Sequence, residues 1–462
     1  MSSCRSLFGR VAWSLIPITV AACAPPTDDE VEGEPIGTAT AGLVTVPSFG
    51  TNPAQLEMSK FVPSAPPAGP RPLVVVLHGC TQNAATYERA GWNALAEAWG
   101  FYVVYPEQNT IRNNSSGCFN WGGRWRSAPN SFVLSPEPLD VDEIARGHGE
   151  NESIKEMVDK MKADHAIDDK RVFVTGLSAG GAMTAVMLAT WPDVFSAGAI
   201  FAGVPYGCAT DKKTTAEAAN CLKDYSGTNA YLARTPKAWG DLVRSAAPGH
   251  DGPWPRVQIW HGTADRIVSP RNMTELVKQW TDVHGTDQTP DAKDEVEGYP
   301  HEQYEDGSGN VVVETFQITG KGHGTEVAAS QPIDPAKPDG PRCGKAGPYI
   351  IEAGICSTYH AAKFFGLDPS SADGAQGAPG SADGGATGGS AGELPGAGAD
   401  GGASAGGGRG DAKSVDGAAS STCVMVPGST APISTMAVST ALLAAAATVR
   451  RLGQRAGGRK RR

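Results

Sequence analysis

The sequence predicts an α/β fold, a mostly parallel sheet with helices on both faces, and three observations predict it. Apolar runs too continuous for half-exposed strands end in glycine, stretches with helical spacing lie between them, and the two patterns alternate through residues 42–367. A strand buried on both faces reads as such a continuous run, which is the situation inside a parallel sheet. PLVVVLHG (72–79) is the first run. YERAGWNALAEAWG (87–100) follows with helical spacing, and FYVVYP (101–106) is the next strand. NESIKEMVDKMKADHA (151–166) is an amphipathic helix with Asn151 or Glu150 near its start. RVFVTG (171–176) runs into a helix of small residues, and FSAGAIFAG (195–203) and RVQIWHG (256–262) continue the alternation. MTELVKQWTDVHG (273–285) is a helix, VVVETFQITG (311–320) a strand, and STYHAAKFFGL (357–367) closes the body. In open sheets of this kind chemistry gathers at the carboxyl ends of the strands.

The two ends of the chain fall outside that body. Residues 1–22 carry Arg5 and Arg10 and then the apolar run VAWSLIPITVAA, the pattern of an export signal too short to span as a mature helix. Val20-Ala21-Ala22-Cys23 resembles a bacterial lipobox, which implies cleavage before Cys23 and a lipid on its sulfur; plain signal cleavage with release is the alternative. Residues 23–41 are a short tether. Residues 368–422 collapse to Gly, Ala, Ser and Asp, which cannot bury a core and make a flexible linker. Residues 423–462 combine Cys423, the apolar stretch APISTMAVSTALLAAAATV and the arginine-rich end RRLGQRAGGRKRR. That combination resembles a bacterial C-terminal sorting tail, with a marginal helix as the alternative. Both ends point to an extracellular or envelope-anchored product, with membrane attachment through the Cys23 lipid, the tail, or both.

Charge and cysteines fit that location. The chain carries −10, of which residues 1–22 contribute +2 and residues 449–462 contribute +7, so a product trimmed of both stands at −19. A surface that acidic repels a phosphate backbone, and no nucleic-acid partner is expected. Of nine cysteines, Cys4, Cys23 and Cys423 lie in the terminal segments. The remaining six form an even set that reads as disulfides in an exported chain, although the sequence leaves the pairing open. Proximity suggests Cys208 with Cys221, Cys343 with Cys356, and therefore Cys80 with Cys118. The sequence has no CxxC pair and no HExxH helix, so no metal site is expected.

VFVTGLSAGGAM (172–183) sets Gly176-Leu177-Ser178-Ala179-Gly180 between a strand and a helix, the context of a GxSxG nucleophile elbow. Its glycines permit a sharp, strained turn from which Ser178 Oγ projects above the sheet. Alone, the motif reads equally well as a glycine-rich turn with a capping serine. The strand VQIW is followed by His261-Gly262-Thr263-Ala264-Asp265, and the strand TFQIT by Gly320-Lys321-Gly322-His323-Gly324. Ser178, Asp265 and His323 thus occur in the chain order of α/β-hydrolases, each just past a strand end.

The plainer readings are that Asp265 caps a helix and His323 is an ordinary loop residue. His261, at the strand end before the acid, reads as loop support, as do His148 and Glu150 in RGHGE. Asp251 and Asp282 lie before the strand and within the following helix. Acyl transfer also needs donors for the oxyanion, and loss of one typically lowers the rate by about 10²- to 10³-fold. The Ala179 N–H and the Cys80 N–H, after His78-Gly79, are the candidates. Trp121 and Trp125 in FNWGGRW, with Tyr206 in VPYG, are candidate substrate-binding residues; packing under a Cys80–Cys118 link is the alternative for two of the three.

LHGCTQNAATYERAGWNALAEAWGFYVVYPEQ, CFNW, RGHGE, VFVTGLSAGGAMTAVMLATWPDVFSAGAIFAGVPYG, HGTADRIV, GHGTEV and AGICSTYHAAKFFGL resemble, in order across residues 42–367, the polyhydroxybutyrate depolymerase family of esterases. The resemblance implies an exported serine esterase of the α/β-hydrolase fold, related to feruloyl and acetylxylan esterases. It implies Ser178 as nucleophile, Asp265 as acid, His323 as base, Cys80 and Ala179 as oxyanion donors, and no cofactor. The implied partner is a polyester; the alternative is an ester-decorated plant cell-wall polysaccharide attacked by a feruloyl or acetylxylan esterase. The chain shows no separate substrate-binding module, which favours soluble oligomers or plant-wall esters over crystalline polymer. A remote alternative of another class is a non-catalytic, envelope-anchored binding protein, which forms no acyl-enzyme.

Overall fold

The computed structural model describes residues 42–125, 139–209, 219–223 and 234–369. The export signal, the Cys23 lipobox, the 23–41 tether, the linker beyond residue 369, the 423–462 tail and the Trp125 side chain lie outside the described residues.

In chain order the strands are β1 (Val44–Val46), β2 (Glu57–Phe61), β3 (Arg71–Leu77), β4 (Tyr102–Glu107), β5 (Arg124–Trp125), β6 (Leu139–Asp140), β7 (Ile167–Leu177), β8 (Ala197–Phe201), β9 (Arg256–Gly262), β10 (Ala292–Val296), β11 (Tyr299–Glu305) and β12 (Val311–Ile318). Ten of them form one sheet in the order β1-β2-β4-β3-β7-β8-β9-β12-β11-β10, while β5 and β6 pair as a small ribbon. The middle of the sheet, from β4 to β12, is parallel throughout. Its two edges turn antiparallel, through β1 and β2 on one side and β11 and β10 on the other. Three further strands, β13 (Thr325–Pro332), β14 (Arg342–Cys343) and β15 (Ile350–Glu352), form a separate sheet.

Strand alternation sends successive residues to opposite faces. Leu73, Val75 and Leu77 of β3 enter one core with helices α3 (Gly149–Asp164) and α4 (Ala179–Thr190) and the helix Arg271–His284. Val74 and Val76 enter the other core, where α2 (Trp92–Trp99) and the helix Ser357–Phe364 pack. On that second face Phe201, Trp260 and Phe316 stack across β8, β9 and β12, with centroids 5.5 and 3.9 Å apart. Aromatic pairs of this kind add about 0.5–1.5 kcal/mol each beyond their buried area.

Residues 87–100, expected as one helix, are two. A short helix, α1 (Ala84–Tyr87), capped by Asn83, runs through a 3-10 turn to Gly91, and α2 starts afresh. Gly91 has φ +98°, outside any right-handed helix, and a β-carbon there would press on Ile333 Cδ1 at 2.9 Å. The six body cysteines form Cys80–Cys118, Cys208–Cys221 and Cys343–Cys356, the pairs that proximity suggests.

Candidate active site

Strand β7 ends at Leu177 and α4 begins at Ala179, leaving Ser178 to make the whole turn at φ +58° and ψ −117°. A non-glycine residue in that region costs on the order of 1–3 kcal/mol and persists only where the surroundings dictate it. Here they do. The Ser178 N–H donates to the Phe201 carbonyl at 2.9 Å and its own carbonyl accepts the Ala182 N–H at 2.8 Å. A β-carbon on Gly180 would overlap the Leu77 and His78 carbonyl oxygens, and one on Gly181 would lie 2.6 Å from the Phe201 carbonyl. The first turn of α4 therefore rests directly on the ends of β3 and β8, and Ser178 stays partly exposed at the rim.

Asp265 lies just past β9 with its side chain fully buried. Its Oδ1 accepts the Ile267 and Val268 N–H groups at 2.8 and 3.0 Å, and its Oδ2 lies 2.7 Å from His323 Nδ1. Burial works to raise this carboxyl, but the hydrogen bonds from His261 and His323 outweigh it and hold Asp265 well below the usual carboxylate range. A permanently ionised Asp265 fixes the proton on His323 Nδ1 and leaves Nε2 free to act as a base. His261 Nε2 sits 3.4 Å from Asp265 Oδ2 and 3.1 Å from the Val268 carbonyl, so both neighbours assign its proton to Nε2. The loops of Asp265 and His323 are also tied by backbone. The Ala264 N–H donates to the Lys321 carbonyl at 2.9 Å and the Gly320 N–H to Thr263 Oγ1 at 2.8 Å. Among the described residues no hydrogen bond joins Ser178 Oγ to His323. Such contacts are often long in unliganded sites and tighten with substrate bound.

Beside the elbow, Cys80 is held by its disulfide to Cys118, with Cα atoms 4.1 Å apart. Neither the Cys80 nor the Ala179 N–H has an acceptor among the described residues, as an oxyanion pair requires. Gln82, which sequence reasoning missed, accepts the Gly79 N–H at 2.9 Å and donates to the Pro348 carbonyl at 2.9 Å. His78 is a neutral strut. Its Nε2 accepts the Gln108 N–H at 3.0 Å and its Nδ1 donates to the Gly79 carbonyl at 2.7 Å, while burial brings its pKa down to about 4 against that second bond. Glu150 positions the loop bearing Cys118, accepting from Gln108, Asn113 and Asn120 at 2.6 Å each.

Trp121 is half-buried and packs against the cluster of Ala182, Val204 and Val268, which joins the elbow helix to the acid loop. Tyr206 is only 8% exposed, both its backbone groups bond Gln279, and burial pushes its phenol up to about 12. Two further groups had no clear sequence signal: Glu326, a wholly buried carboxyl near Asp265, and Tyr349, whose ring forms a T-shaped pair with His323 at 5.9 Å.

The family described as esterase PHB depolymerase matches residues 56–133 and 139–299. Poly(3-hydroxyalkanoate) depolymerase C of Paucimonas lemoignei is 48% identical over 325 residues, which span 70% of this chain and 70% of that protein. An acetylxylan esterase of Coprinopsis cinerea is 36% identical over 308 residues, 64% of this chain and 74% of its own. Among solved structures, an acetyl xylan esterase from Aspergillus awamori aligns with TM-score 0.49 and 28% identity over 61% of this chain and 94% of its own. A match that runs through β3, the elbow and the acid loop, at this identity, leaves no doubt of kinship: the chain belongs to the esterase PHB depolymerase family and is a carboxylic ester hydrolase.

Proposed function

We propose that the protein hydrolyses a hydroxyalkanoate polyester or its oligomers through an acyl-enzyme on Ser178. The observation that carries this reading is the 2.7 Å contact of Asp265 with His323, in a sheet that also ends in the strained Ser178 elbow. His323 Nε2 takes the Ser178 proton as Oγ attacks the ester carbonyl. The oxyanion rests on the Cys80 and Ala179 N–H groups, and His323 then hands its proton to the departing alcohol. Water, activated by the same imidazole, releases the acid and restores Ser178. The polyester is favoured by the 48% identity to the depolymerase. The acetylxylan esterase at 36% identity supports a second reading, hydrolysis of acetyl or feruloyl esters on a plant cell-wall polysaccharide. Trp121 is the best placed of the candidate substrate contacts.

Three disulfides support an exported protein, and we propose attachment to the envelope through a Cys23 lipid, the 423–462 tail, or both. Mass spectrometry of the exported product reads both events directly. For the reaction, a p-nitrophenyl ester gives a burst of acyl-enzyme that Ser178→Ala abolishes. Release of 3-hydroxybutyrate from short polyester, set against acetate or ferulate from xylan, decides the substrate. Survival of all these esters while an amide is cut would sink the esterase mechanism, and absence of any burst would leave a binding protein.

A further inference from the structure

Tyr349 is one of four large hydrophobic side chains exposed among the described residues, at 39%, and one of two on the segments around Asp265 and His323. Its backbone has φ +58°, a region that bulky residues rarely enter. The turn is fastened from both sides of the site. The Tyr349 carbonyl accepts the Thr325 N–H at 3.0 Å, two residues beyond His323, and the Pro348 carbonyl accepts Gln82 Nε2 at 2.9 Å, from the Cys80 loop. Gly347 and Ile350 close the turn with two backbone bonds of 2.9 and 3.0 Å. So firm an anchorage delivers the ring to the rim and leaves it without a core to fill. Its plane stands at 77° to the His323 imidazole, with the ring centroids 5.9 Å apart.

The direction of the chemistry says which half of a substrate meets that ring. His323 protonates the departing alcohol, so the alcohol half of the ester must lie against the imidazole. A ring beside this imidazole and open to solvent is placed to meet the alcohol half. We propose that Tyr349 is a specificity-determining residue that walls the alcohol-side subsite and contacts the hydroxyacyl unit following the scissile bond; this rests on the polyester reading above. The flat apolar ring suits the methyl and methylene groups of that unit.

The test uses two esters with one acyl group and different alcohols: methyl 3-hydroxybutyrate, and the methyl ester of the 3-hydroxybutyrate dimer followed at its internal ester bond by release of methyl 3-hydroxybutyrate. In Tyr349→Ala, kcat/KM for the dimer falls about 10-fold, while the methyl ester and the deacylation rate after a p-nitrophenyl burst stay within about twofold of wild type. Tyr349→Phe keeps the wild-type ratio. Tyr349→Gly, which suits the positive φ, repeats the alanine result should alanine not fold. Equal losses on both esters, or slowed deacylation, overturn the proposal and make the ring a prop for His323; an unchanged ratio also overturns it. Wild-type inactivity on both esters overturns the polyester reading alone. The same comparison on methyl acetate and acetylated xylobiose then tests the alcohol-side assignment.

Discussion

Replacing Glu326 by glutamine should make the protein more stable at neutral pH, by an amount that grows with pH. Glu326 is wholly buried, its Oε2 has no hydrogen-bond partner among the described residues, and Asp265 stands near as a negative charge. Burial first, and Asp265 in addition, push its pKa from 4.5 up to about 8, against a hydrogen bond from its own backbone. Below the unfolded value both states hold the proton and the group is neutral toward stability. Between the two values the folded chain keeps a proton that the unfolded chain has released, so stability falls as pH rises, and it levels off once the folded form ionises near pH 8. One proton corresponds to about 1.4 kcal/mol per pH unit, an upper limit of about 3 kcal/mol between pH 5.5 and 7.5. Glutamine copies the neutral acid and escapes this loss. Urea denaturation of wild type and Glu326→Gln at half-unit pH steps gives the difference curve, in which all other titrations cancel. Parallel curves from pH 5 to 8 would show that Glu326 is ionised and solvated, and would refute the reasoning.

Two further substitutions probe the supports of the elbow and the oxyanion loop. Gly180→Ala drives a β-carbon into two backbone carbonyls that cannot move aside; it should lose about 1–3 kcal/mol in urea denaturation and at least about 10²-fold in kcat. Substituting both Cys80 and Cys118 by alanine keeps the residue 80 N–H but frees a loop with a sequence separation of 38. Thermal and urea unfolding should show a loss of about 2–4 kcal/mol, with a fall in kcat; lost stability at unchanged kcat would free the disulfide of any part in oxyanion geometry.

The middle of the fold was legible because its strands are buried on both faces, and double burial writes a continuous apolar run into the chain. The edges were not. AKDEV of β10, the edge strand, and YPHEQYE of β11 beside it are rich in charged and polar residues and carry no continuous apolar run. The helix Pro236–Ala246 was passed over although it is written plainly: Trp239, Leu242, Val243 and Ala246 recur at helical spacing behind a Thr235 cap and Pro236. Gly91 lies inside a helical pattern, and only its positive φ reveals the break. At the site, the strand ends that carry Asp265 and His323 could be read from β9 and β12, which are neighbours in the sheet. Gln82, Glu326 and Tyr349 could not, because their significance lies in contacts with residues far along the chain.

Cys80 is both half of a disulfide and, in the proposed mechanism, the donor of an oxyanion amide. Its bond to Cys118 forms only in an oxidising compartment. In that mechanism a chain whose Cys80 and Cys118 stay reduced would carry a looser anion loop and turn over more slowly than the oxidised form. On that reading the bond that fastens the loop also sets the pace of the chemistry, so the oxidation state of one cysteine pair is written into the turnover rate.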